Sequence, residues 1–216
     1  MFSPIAAKLK PLRRVASQGL NFPNDGVNKT IGENLLSDQR SRSALWPVLT
    51  KIDAELAAQA CAQGCACGGA LHRANYTRKV RGMKEDVKRD SFCCAREGCR
   101  RRTTPESVRF LGRRAYAGFI VVLLTALRHG LTAARVTVLQ EQLGVDRRTL
   151  ERWRVWWQEH FVRSATWRTE RGRFVPPPDE TMLPWSLWKR FTARRGEPLL
   201  DLLRFLKPWS RCGAPA

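Results

Sequence analysis

Six of the chain's seven cysteines lie between residues 61 and 99, in the two stretches CAQGCACGG and CCAREGC. Around them helical periodicity is lost and glycine and arginine accumulate, so this part reads as short strands and turns held by something other than a large apolar core. Four thiolates gathered around one Zn²⁺ make a closed tetrahedral structural site, and the free energy of binding the ion then enters the folding free energy of a small domain. Gly68 and Gly69 follow Cys67, and Gly98 precedes Cys99. Without a Cβ these positions permit tight turns that aim backbone N–H groups at the sulfurs.

The expected ligand set contains Cys67, Cys94 and Cys99, with either Cys61 or Cys65 as the fourth. Cys94 and Cys99 have four residues between them; Cys93 is adjacent to Cys94, and both could not face one ion without straining the chain. His72 reads as a surface or packing histidine. Disulfides would require an oxidising compartment, and the N-terminus lacks the continuous apolar segment of a secretory signal. An organellar transit peptide is compatible with the composition there but has no other support. A thiol enzyme, activated by Arg96 and Arg100, would need the same sulfurs that the metal occupies. No His and Glu set accompanies the thiols as a catalytic zinc site would require.

Charge narrows the partner. The 39 Lys and Arg outnumber 19 Asp and Glu, a formal charge of +20 over 216 residues, against the roughly 2 to 8 units useful for solubility in a small domain. The excess peaks at residues 61–114, with fourteen basic and five acidic side chains, which points to a polyanion. Eight Trp and nine Phe supply enough bulk for a core. The longest apolar stretch, Ala115 to Leu127, has 13 residues, short of the ~18 that span a bilayer; it is expected to be a buried helix in a protein with no membrane partner and a cytoplasmic location, at the nucleoid if bacterial.

Four parts are expected: a disordered basic arm (1–42), a lead-in helix with the cysteine zinc ribbon (43–106), a helix-turn-helix bundle (107–170), and a Pro-rich linker with a helical tail (171–216). The fold class is therefore mainly α with a small β ribbon. Leu45, Leu49, Ile52, Leu56 and Ala60 set the lead-in helix from Ser43, with Pro47 in its first turn. Pro176, Pro177 and Pro178 suggest a stiff linker. The leucines at 199, 202, 203 and 206 form one stripe, serving either the core or a homodimer contact.

Gly130 to Phe161 carries the helix pair. Val136, Leu139 and Leu143 recur at helical spacing after Thr132, Gly144 allows a left-handed turn, and Asp146 can cap a second helix whose inner face is Leu150, Trp153, Trp157 and Phe161. Ala115 to Arg128 is the expected supporting helix. In such motifs the first turns of the second helix enter the major groove, where Arg binds guanine through two hydrogen bonds. Arg147, Arg148, Thr149 and Arg152 are accordingly the expected base-reading residues on double-stranded DNA. Arg100, Arg101, Arg102, Arg109, Arg113 and Arg114 form the densest cationic stretch and are the expected phosphate contacts.

The order of these parts, carried by CACGGALHRANYTRKVRG, FCCAREGCRRRTTPESVRF and LGVDRRTLERWRVWW, resembles the N-terminal DNA-binding portion of insertion-element transposases and their accessory proteins. The resemblance covers residues 61–161 and implies metal-ligand roles for Cys67, Cys94 and Cys99 and recognition roles for Arg147, Arg148 and Arg152. Such proteins bind element ends or regulate transposition. A complete transposase also carries a carboxylate triad on an α/β domain, for which the 55 residues after Phe161 leave no room; a DNA-binding accessory or a truncated remnant that is not an enzyme and has no small-molecule substrate is expected. The second reading is a zinc-ribbon RNA-binding or ribosome-associated protein that stacks bases on Tyr76 and Trp156.

Overall fold

A computed structural model describes residues 39–80, 86–111, 117–127, 132–193 and 197–211. Helix α1, Gln39–Gln63, precedes five short strands: β1 Leu71–Arg73, β2 Tyr76–Lys79, β3 Asp86–Arg89, β4 Phe92–Cys94 and β5 Arg102–Thr103. The remainder is helical: α2 Gly118–Leu127, α3 Ala133–Leu143, α4 Arg147–Val155 running into a π-helical turn at Trp156–Phe161, α5 Ala165–Glu170, α6 Trp185–Thr192 and α7 Pro198–Leu206. The protein is thus mostly helical with a small antiparallel sheet region.

The expected lead-in helix begins four residues earlier than Ser43, so the four positions 39–42, read as part of the arm, are helical, and residues 1–38 of the arm lie outside the described residues. Pro47 consequently sits inside the helix and not in its first turn, where the missing N–H and the ring crowding cost about 3 kcal/mol. Beyond it, Leu49, Asp53 and Ala57, spaced four residues apart, form the buried side of the helix. Strands β1, β4 and β5 pair antiparallel in the order β1-β4-β5, and β2 with β3 forms a separate two-stranded ladder. Leu71 lies opposite Cys94, His72 opposite Cys93, and Cys93 opposite Arg102.

Phe119 to Leu124 and Ala126 are all at most 4% exposed, which makes α2 apolar on every side, the signature of a central helix. It packs against α3, α4, α6 and α7. Between α3 and α4, Gly144 takes a φ of +63° and ends α3 as a left-handed cap does; Val145 then turns into the core. Asp146 Oδ1 accepts from the Thr149 N–H at 2.6 Å, satisfying one of the free donors at the start of α4. Leu150, Trp153, Trp157 and Phe161 are buried, as their spacing predicts.

The segment expected to be linker and tail is built into the same core. Phe174, Phe191, Phe205 and Trp209 form a ring cluster with Phe161 and Trp167, with centroids 4.7 to 6.4 Å apart in the adjoining pairs. The leucine stripe of α7 is buried, so within the chain it serves as core. Trp209 Nε1 donates to Ser164 Oγ at 3.1 Å, and the Ser107 N–H donates to Ser210 Oγ at 2.7 Å. Residues after the helical bundle therefore close back onto the segment that leaves the cysteine region. No helix among the described residues is long and apolar enough to cross a membrane.

Candidate metal centre and basic surface

Gly64 ends α1 with a φ of +71°, and the chain immediately closes a small loop: the Gly68 N–H donates to Cys65 O at 2.8 Å and the Cys65 N–H to Gly69 O at 3.0 Å. Cys65 and Cys67 project from this loop. The other half comes from the end of β4 and the turn after it, where Gly98 has a φ of +79° and Arg100 one of +43°. The Ala95 N–H donates to Ala70 O at 2.9 Å and joins the halves' flanks, while the Cys94 N–H donates to Arg101 O at 3.0 Å and closes the second half on itself. Arg96 Nη1 adds a second link between the halves, donating to Cys67 O at 2.8 Å.

These turns bring four sulfurs together. The Sγ atoms of Cys65, Cys67, Cys94 and Cys99 all lie within 4.8 Å of one another, with Cys65 to Cys99 at 3.8 Å and Cys67 to Cys94 at 3.5 Å. A tetrahedron of thiolates at the usual Zn–S length of ~2.3 Å has edges of about 3.8 Å, so the four sulfurs can hold one metal ion. The cluster contains no disulfide; all four cysteines are free.

Each half also presents backbone N–H groups to sulfur, always two residues on: Gly69 to Cys67, Arg96 to Cys94 and Arg101 to Cys99. The Gly69 N–H, helped by the Cys99, Cys94 and Cys65 thiols, brings the Cys67 thiol down to about 6. At Cys94 the Arg96 N–H acts in the same direction but is outweighed by burial and by the neighbouring thiols, and the group rises to about 12. Cys99 is also raised: the Arg101 N–H lowers it, while Cys67, burial and Cys65 push it up. Crowded thiols of this kind carry their first negative charge easily and resist the next, and a cation among them removes that resistance.

The structure decides between the alternatives for the first half. Cys61 is still within α1, its Sγ donating to Leu71 O at 3.8 Å, and lies outside the four-sulfur group; Cys65, past Gly64, is inside it. The choice of Cys94 over Cys93 follows from strand geometry, since successive side chains on β4 face opposite ways. Cys93 Sγ instead donates to Arg100 O at 3.4 Å. His72 is exposed on β1.

On α4, Arg147, Arg148 and Arg152 are exposed; Arg147 Nε lies 3.1 Å from Glu151 Oε1 in an exposed pair. Thr149 corrects the expected base-reading set. It is 1% exposed, with Oγ1 donating to Asp146 Oδ2 at 3.2 Å and accepting from Arg152 Nη2 at 2.7 Å. Its hydroxyl is used to build the helix start and to orient Arg152.

Arg109 corrects the phosphate-contact set. It is 4% exposed, with Nε 2.7 Å from Asp53 Oδ2 and Nη2 3.5 Å from Asp90 Oδ2, and its guanidinium lies over the rings of Trp46 and Phe110. Asp53 also accepts from the Ser107 hydroxyl and, at 2.7 Å, from the Val108 N–H. Arg89 enters the same interior, its Nη2 donating to Pro105 O at 2.6 Å; burial pushes its guanidinium down from the ordinary value, with Asp53 opposing. Arg100, Arg101 and Arg102 are exposed, whereas Arg113 and Arg114 lie outside the described residues.

Asp53 was not among the predicted site residues, although a signal exists: it is a carboxylate on the apolar stripe of α1, between Leu49 and Leu56, in a strongly basic chain. Arg96 bridges the two halves and carries no comparable signal. No family model, curated protein or solved structure matches the chain.

Proposed function

We propose that this chain is a zinc-containing DNA-binding protein in which a zinc ribbon precedes a helix-turn-helix, acting as an accessory to transposition and not as a catalyst. The observation that carries the reading is the placement of α4. Its apolar side is buried while Arg147, Arg148 and Arg152 stand exposed on its first two turns, the positions that reach base edges when such a helix lies in the major groove. Four thiolates in a tetrahedral arrangement suit Zn²⁺, with iron as the other common ion for such a set. In that role the metal would stiffen a module whose exposed Arg100 and Arg101 grip the phosphate backbone and orient α4 without reading sequence.

The RNA-binding alternative depends on rings free to stack. Tyr76 has the Arg102 guanidinium over it at 5.2 Å, and Trp156 is half-buried against Trp157 and Phe161, so neither favours that reading.

The test joins elemental analysis of protein purified without chelator to a salt titration of duplex binding, with structured RNA as competitor. About one zinc per chain and an affinity for duplex that falls roughly 10³- to 10⁵-fold between 50 and 200 mM salt are expected for six to ten phosphate contacts. Failure to bind duplex, or stronger binding to the RNA, would overturn the DNA reading; a chain without metal would overturn the ribbon.

A further inference from the structure

Beside the cysteine module, Tyr76, Arg102, Thr104 and Arg211 line a cleft of about 400 Å³. We propose that it is a seat for one phosphodiester of a nucleic-acid backbone, an inference that rests on the DNA-binding reading for its ligand but not for its chemistry. Arg102 is held before any ligand arrives: Nε donates to Ser91 Oγ at 2.8 Å, Nη2 donates to Ala74 O at 2.7 Å, and the guanidinium lies over Tyr76. Only two of its five N–H donors are used in those bonds, and a guanidinium fixed in place loses little further freedom on binding an anion.

Arg211 approaches from the other end of the chain. Ser210, the residue before it, is bonded to the Ser107 N–H at 2.7 Å, which fixes Arg211 near Thr104. Glu106 also holds Arg211, with Oε1 3.3 Å from Nη2, and Lys207 Nζ lies 3.5 Å from Glu106 Oε2. The Glu106 carboxylate is thus shared by two cations, and Arg102 adds a third positive charge to the surroundings. Tyr76 and Thr104 each add a hydroxyl without a hydrogen-bond partner among the described residues. Two guanidinium groups and two hydroxyls form a donor set matched to the unesterified oxygens of a phosphodiester. It would position the duplex without reading it.

The chain has two tyrosines, so ring-labelled tyrosine in the full-length protein, with Tyr116→Phe for assignment, gives a direct NMR reporter at Tyr76. The probes are a thymidine dinucleotide, inorganic phosphate and a 20-base-pair duplex. Expected are a saturable shift of the Tyr76 signal with the dinucleotide, weakened at least fivefold by Arg211→Gln or Thr104→Val, and a duplex salt slope reduced by about 0.9 in Arg211→Gln, the change for one lost phosphate contact. A Tyr76 signal unmoved by the dinucleotide, or saturated by inorganic phosphate alone, overturns the phosphodiester seat. Duplex binding that is unchanged in both variants, with Tyr76 unmoved, sinks the cleft and leaves the DNA reading intact. A dinucleotide response without duplex binding upholds the cleft and removes that reading.

Discussion

Gly69 faces the sulfur of Cys94 so closely that a methyl group on its α-carbon would stand 2.7 Å from Sγ and 3.4 Å from the sulfur of Cys67. A Cβ essentially never comes this near to another heavy atom, and the sulfur cannot retreat without leaving the four-sulfur arrangement. Gly69→Ala is therefore expected to weaken metal binding by roughly 10- to 100-fold, the loss common when groups supporting a metal site are disturbed. Competition with a chromophoric chelator measures it; unchanged affinity would mean that the two halves of the site adjust more freely than the packing implies.

Replacement of each cysteine by Ser separates ligands from bystanders. The Cys65, Cys67, Cys94 and Cys99 variants should each lose stoichiometric metal, whereas Cys61→Ser and Cys93→Ser should retain about one ion per chain. Elemental analysis reads both groups. Metal loss in Cys61→Ser with retention in Cys65→Ser would reverse the structural assignment.

Metal affinity should fall as the solution is acidified, because the bound form requires thiolates and protons compete for them. In the metal-free protein Cys67 is brought to about 6 by the Gly69 N–H and its thiol neighbours, while Cys94 stands at about 12 and Cys99 is also raised. At pH 8 the protons of Cys94 and Cys99 must leave on metal binding, whereas that of Cys67 is already gone. Calorimetry in buffers of different ionisation enthalpy should register release of at least two protons per ion; release of none would contradict the crowded-thiol description.

Asp53→Ala removes the partner of a buried cation and should destabilise the protein by about 3 to 5 kcal/mol, measured as a shift in the denaturation midpoint at unchanged slope. The paired change Asp53→Leu with Arg109→Met should recover much of the loss, since a buried ion pair replaced by apolar side chains of similar volume is often near neutral. Arg109→Gln alone should therefore act on stability before it acts on any phosphate contact.

Arg147→Ala and Arg148→Ala should leave stability within about 0.5 kcal/mol, as exposed substitutions usually do, while reducing discrimination among duplex sequences. Thr149→Val should behave in the opposite way, costing roughly 1 to 3 kcal/mol for the polar groups left unpaired and altering DNA binding only through Arg152. Equal effects of all three on sequence preference would contradict the buried position of Thr149.

The difference between Thr149 and its neighbours shows what the sequence could convey. Helical spacing identified Leu150, Trp153, Trp157 and Phe161 as one face, and Gly144 with Asp146 as the turn and cap, because those signals are local. Thr149 lies one residue from a buried face, and spacing alone does not tell a capping hydroxyl from a surface one. Arg109 failed for a different reason: its partner Asp53 is 56 residues away, and nothing in a run of arginines marks the one that will be neutralised. Cys67, Cys94 and Cys99 were legible from glycine placement and adjacency, while Cys61 against Cys65 depended on where α1 ends. The three prolines at 176–178 suggested a linker because composition does not reveal that Phe174 and Phe191 on either side share one cluster.

The bond from the Ser107 N–H to Ser210 Oγ joins residues 103 positions apart, and Trp209 beside it fills the ring cluster around Phe161. During synthesis, a chain emerging in order from the ribosome can assemble its cysteine module early, yet must leave Phe161, Trp167 and the α7 seat uncovered until residue 210 has cleared the exit tunnel. Ribosomes that stall ahead of Trp209 would hold a nascent chain with a finished front and an open aromatic wound, a natural substrate for chaperones and proteases.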